Sequence, residues 1–88
     1  MKIKAGFVKK TLAGQTVVVA FGEASRTFHG MIKLNDTGAF IWDLLASGIG
    51  DKESIVARMA EEYEVELDVL RRDVSAVLGK LLEAGVLE

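Results

Sequence analysis

The chain has 88 residues, half of them hydrophobic, with a formal net charge of −2. That is one small domain's worth of sequence, close to the lower limit at which a single core supports a fold without disulfides or metals. It contains no cysteine and one histidine, which excludes disulfides, thiolate nucleophiles, sulfur-ligated zinc or iron clusters, and a histidine relay.

The predicted elements begin with strands. Residues 5–11 form a short candidate strand, 12–15 a turn, and the β-branched run 16–21 (TVVVAF) a strand buried on at least one face. A turn over 22–25 leads to a third strand over 26–34, and short connections between consecutive strands make an antiparallel meander with the third at its edge. Gly30 stands out inside this strand as a mark of a bulge or of a close backbone approach. Nothing after Asn35 reads as a strand.

Helices follow. Asn35 caps one over 36–46, with Ala39, Phe40, Trp42 and Leu45 on its apolar face and Gly48 and Gly50 at its end. Asp51 caps a second over 52–63, with Ile55, Val56, Met59 and Ala60 at helical spacing. A third over 67–84 repeats apolar residues at Leu70, Val74, Val77, Leu78, Leu81 and Leu82, and Gly85 stops it. Three strands and then three helices give an α+β fold, in which the sheet must rest one apolar face on the helical layer.

Charge is segregated along the chain. Residues 1–34 carry six basic side chains against Glu23 alone, a balance of +5; residues 35–88 carry five basic and twelve acidic ones, a balance of −7. Such a dipole orients a charged partner, and it equally describes two solvated surfaces. A small sheet with three helices also raises a winged-helix DNA-binding domain. The candidate helices are net acidic, however, and phosphate contact needs a concentrated basic surface, so nucleic acid is disfavoured as a partner. No apolar stretch is long enough to span a bilayer, and with no signal peptide pattern the expected location is the cytoplasm. The acidic stretch around Glu61, Glu62, Glu64, Glu66 and Asp68 lacks the order and glycine turn of a calcium loop and reads as surface. No metal, cofactor or catalytic set is expected.

The edge of the third strand then remains. It carries Arg26, His29 and Lys33 beside Phe28, Met31 and Ile32, and no proline. An edge of this kind accepts an extended peptide as an added strand, pairs with its own copy in a weak homodimer, or stands as a plain edge defended by its charges in a monomer.

The stretch KLNDTGAFIWDLL over 33–45 bears on that choice. Together with Ser54-Ile55-Val56, Ala60-Glu61-Glu62-Tyr63 and the run from Asp73-Val74 through Leu81-Leu82 to Gly85-Val86-Leu87, it resembles the PqqD family. The resemblance implies a winged-helix-like domain, a RiPP recognition element in the wider sense. Such a domain binds the leader of a ribosomally made precursor peptide as a strand beside the third strand, in a groove shared with the third helix. It presents the leader to a modifying enzyme; for pyrroloquinoline quinone (PQQ) biosynthesis this is a radical S-adenosylmethionine (SAM) protein, which holds the clusters and cofactor itself. Transferred to this chain, backbone pairing falls to the third strand, Thr27, Phe28, His29, Gly30, Met31, Ile32 and Lys33, with Phe28, Gly30 and Ile32 on one face. Leu70, Val74, Val77 and Leu78 form the opposite wall, with Arg71 at its rim to meet an acidic leader side chain. Val77 and Leu81 fit core positions as well. One departure from the family is the turn Glu64-Val65-Glu66-Leu67, in place of a glycine and an Asp-Pro start. Glutamate is a weaker N-cap, so the third helix is expected to fray or shift at its start.

Overall fold

A computed structural model describes residues 1–88. Three strands, β1 (Phe7–Leu12), β2 (Gln15–Ala20) and β3 (Met31–Leu34), are followed by three helices, α1 (Asp36–Ala46), α2 (Lys52–Glu62) and α3 (Leu67–Glu83). The sheet is antiparallel in the order β1-β2-β3, so β3 lies at an edge, as the sequence indicates.

Ala13 and Gly14 join β1 to β2, both at positive φ (52° and 79°). Two such residues make a tight hairpin turn whose twist matches the strands and which fixes the register at Leu12 opposite Gln15. That register also decides which residues of β2 turn their backbone groups toward β1 and which toward β3.

The third strand is shorter than expected. Residues 22–26 form a 3-10 turn (Gly22–Arg26) instead of a strand start, and Thr27, Phe28, His29 and Gly30 form the approach to β3. The apparent alternation of Phe28, Gly30 and Ile32 is therefore not a strand face. Gly30 has φ +103°, a left-handed conformation that cannot continue a pleat, and a Cβ there would meet nothing within 4 Å. Its glycine serves the bend, not a close approach. Phe28 still reaches the helix-facing side, where its ring stands edge-on to Phe7 at 5.1 Å between centroids.

The helices start where the caps predict. Asn35 Oδ1 accepts from the Gly38 amide at 2.8 Å, and Asp51 Oδ2 accepts from the Ser54 amide at 2.9 Å. The Ser54 hydrogen bond holds the Asp51 carboxyl below its ordinary pKa of 3.8. A depressed carboxyl stabilises the fold above its ordinary pKa and loses that contribution as pH falls through its folded value. In acid titrations followed by circular dichroism, wild type should therefore lose stability below pH 3.8 more steeply than Asp51→Asn, whose amide oxygen keeps the cap without titrating. Glu66 makes no side-chain cap bond, in keeping with a weak cap. The helix nevertheless starts at Leu67, unshifted, with the Leu70 amide bonded to the Glu66 carbonyl at 3.0 Å.

One core joins sheet and helices. Val18 and Ile32 meet Ile41, Trp42 and Leu45 of α1, Ile55, Val56 and Met59 of α2, and Leu70, Val74, Leu78 and Leu81 of α3. Ile41, absent from the apolar face predicted for α1, is fully buried, whereas Phe40 is half-buried and packs edge-on to Tyr63 at 5.7 Å. The end of the chain is also extended, against expectation. The backbone amides of Lys2 and Lys4 donate to the carbonyls of Glu88 and Val86, each at 2.9 Å, in an antiparallel bridge at Ile3 and Leu87 that closes Val86 and Leu87 into the core. No helix is long and apolar enough to cross a membrane.

Candidate peptide-binding edge

Antiparallel pairs alternate between hydrogen-bonded and non-hydrogen-bonded, and a two-residue turn closes on a bonded pair. Starting from Leu12–Gln15, the bonded pairs are Lys10–Val17 and Val8–Val19, and the Phe21 amide bonded to the Gly6 carbonyl at 2.8 Å fits the same series. The backbone groups of Gln15, Val17 and Val19 thus point to β1, and those of Thr16 and Val18 point to β3, where they meet Leu34 and Ile32. Met31 and Lys33 turn their own N–H and C=O groups outward. Two residues of β3 therefore offer four backbone groups to a neighbour in the sheet plane.

Ile32 and Leu34 point toward the helices, as expected for that face; Ile32 is buried and Leu34 packs on the core. A cleft of about 260 Å³ opens where β3 ends, lined by Lys33, Leu34, Asn35 and Gly38 on one side and by Val77, Lys80 and Leu81 of α3 on the other. Sites for drug-sized ligands run from roughly 300 to 1,000 Å³, so this one suits side chains of an extended peptide better than a cofactor. A second, wider cleft shares Lys33, Leu34 and Asn35 and continues toward the β1–β2 turn at Gly14, Gln15 and Thr16. The far edge of the sheet, on β1, borders neither cleft.

Electrostatics favour an acidic ligand at this end. Lys33 and Lys80 form no ion pair, and Lys80 Nζ lies 3.5 Å from the outward carbonyl of Lys33. No group of three or more His, Cys, Asp or Glu side chains is arranged to hold a metal.

The family model for coenzyme PQQ synthesis protein D (PqqD) matches residues 12–87. The chain belongs to the PqqD family. Among solved structures, this PqqD-family chain is similar to TbiB1 in complex with the TbiA(beta) leader peptide, at 27% identity and a TM-score of 0.81, over 100% of this chain and 95% of that one. It also shares the fold of lasso peptide synthetase B1 complexed with the leader peptide, at 24% identity and a TM-score of 0.76, over 99% and 95% of the two chains. No curated protein matches.

Within this PqqD-family fold, the residues singled out from sequence separate into three groups. Met31 and Lys33 stand on the open edge, Lys33 in the cleft with Val77, while Thr27, His29 and Gly30 precede the strand and are exposed in its approach. Phe28, Ile32, Leu70, Val74 and Leu78 pack in or against the core; the last three are 2%, 0% and 3% exposed, so they back the wall and do not line it. Arg71 lies away from the cleft lining and is held by Glu53 and Asp68, at 3.4 and 3.5 Å. It is nine residues before Lys80, about 14 Å along the helix axis. The cation beside β3 is Lys80, which sequence reasoning missed. Its spacing of three from Val77 was the available signal, since residues three apart share a helix face.

The two neighbours Val77 and Leu78 separate binding from folding. Val77→Ala, at a half-buried residue packed against the core, should weaken peptide binding and cost less stability than the same truncation at Leu78. Leu78→Ala should cost about 2–5 kcal/mol of stability, as other buried leucines do. Urea melts and peptide anisotropy on the same two variants check both.

Proposed function

We propose that this chain is a peptide-recognition domain that binds the leader of a ribosomally synthesised precursor by strand addition at β3 and presents it to a modifying enzyme. The observation that carries the reading is the open edge itself: the outward backbone groups of Met31 and Lys33 lie beside a cleft whose other wall is α3. Main-chain bonds on such an edge give affinity, and flanking pockets give specificity. Both solved neighbours are complexes with leader peptides, and membership of the PqqD family supports the same role.

In this reading Met31 and Lys33 pair with the leader backbone. Leu34 and Val77 receive an apolar leader side chain, and Lys80 meets a carboxylate. The domain carries out no chemistry itself. The receiving enzyme is a peptide-modifying one, and the family resemblance favours a radical SAM enzyme, with PQQ among the possible products. Binding takes place in the cytoplasm, where ribosomal precursors are made. Calorimetric titration with the leader of a precursor encoded beside the gene tests the proposal. A one-to-one heat of binding is expected, and no heat with any such leader contradicts it.

A further inference from the structure

The sheet face turned away from the helices is rich in exposed apolar side chains. Since Val18 and Ile32 face the core, alternation turns Val8, Val17, Val19 and Met31 outward. Eight large hydrophobic residues are exposed in the molecule, and four of them, Val8, Leu12, Phe21 and Met31, fall on this face or its direct continuation. Val8, Val19 and Met31 stand in one row across all three strands, and Lys10, Val17 and Lys33 make the next. Val17 is only 1% exposed although it lies outside the helix-side core, and Lys10 and Lys33 flank it in its row. Neither lysine has an ion-pair partner, and no strand contains an acidic residue.

Clustered apolar exposure on a small domain marks an interaction surface. The flanking charges decide its occupant. A second copy would bring lysines against lysines across a two-fold axis. Anionic membranes are gripped by clusters of about four to eight basic residues, and this face has two. A protein surface with an apolar centre and carboxylates at its margin is complementary to it. A leader strand paired to Met31 and Lys33 would also widen the face, because every second leader residue would project beside those two side chains.

We propose that the outer face of the sheet, extended by the bound leader, is the docking surface for an acidic-margined patch on the modifying enzyme. The inference rests on the leader-binding reading, since the leader supplies part of the surface. It follows that leader and enzyme raise each other's affinity by the same factor.

Val8 and Lys10 lie on β1, about 10 Å across the sheet from β3, and provide the test. Val8→Glu, Lys10→Glu and wild type are titrated with the leader and then, leader-loaded, with the modifying enzyme encoded beside the gene. Enzyme affinity should fall about tenfold or more in each variant while leader affinity stays within twofold, which also shows that the variants are folded. Wild-type enzyme affinity should rise when leader is added. Unchanged enzyme binding in both variants, or no enzyme binding by leader-loaded wild type, overturns the docking surface and leaves leader recognition standing. So does a dimer in sedimentation that Val8→Glu abolishes. Failure of wild type to bind leader at all removes both.

Discussion

Lys33→Pro should lose most leader affinity while the domain stays folded, and Ile32→Pro should unfold it. The two positions are adjacent, and their difference comes from the register alone. Lys33 points its N–H out of the sheet, so a proline there removes no ladder bond of the protein. It does remove a donor to the leader and puts a ring where the added strand must lie. An unmade bond that leaves the leader carbonyl without a partner costs about 1–3 kcal/mol, or roughly five- to 150-fold in affinity. Ile32 directs its N–H to Val18, and its side chain is only 8% exposed. Proline at that position breaks the ladder and empties a core site together. Anisotropy with a labelled leader, beside thermal melts, reads both effects. Leader binding by folded Lys33→Pro at wild-type strength would rule out strand addition at β3.

Trp42→Ala should cost about 3–5 kcal/mol, a large part of the roughly 5–15 kcal/mol that holds a domain of this kind together. Trp42 is 3% exposed and belongs to the core that joins sheet and helices, so removing its indole leaves a cavity there. In urea, the midpoint should fall by that amount divided by the unfolding slope. Leader binding should fall only with the folded fraction, and saturating leader should restore part of it by mass action. A variant as stable as wild type would remove Trp42 from the core described above.

The parts of the fold legible in the sequence are those written in local chemistry. Asn35 and Asp51 spell their caps, the β-branched run spells β2, and the periodic leucines and valines spell α3. The KLNDTGAFIWDLL stretch by itself resembles the PqqD family, and the family match over residues 12–87 agrees. The start of β3 was misread because Phe28, Gly30 and Ile32 alternate as a strand would, although a left-handed Gly30 interrupts the pleat. The pairing of Ile3 with Leu87 joins opposite ends of the chain through so few residues that neither end has a pattern to detect. The candidate site was half legible. Edge position follows from strand order, so the sequence suffices to put Met31 and Lys33 on the open edge. Which side of α3 faces the edge depends on how the helices cross, so the spacing of Leu70, Arg71, Val74 and Leu78 does not reveal that Val77 and Lys80 stand at the cleft over buried Leu81.

Amide hydrogen exchange of Met31 and Lys33, with and without leader, tests strand addition most directly. Both amides point to solvent in the free domain, so they should exchange fast alone and become protected when the leader pairs with β3. The amides of Ile32 and Leu34, already bonded to β2, should change much less. Protection appearing on β1 instead, at Phe7, Lys9 and Thr11, or at neither edge under saturating leader, would contradict the account.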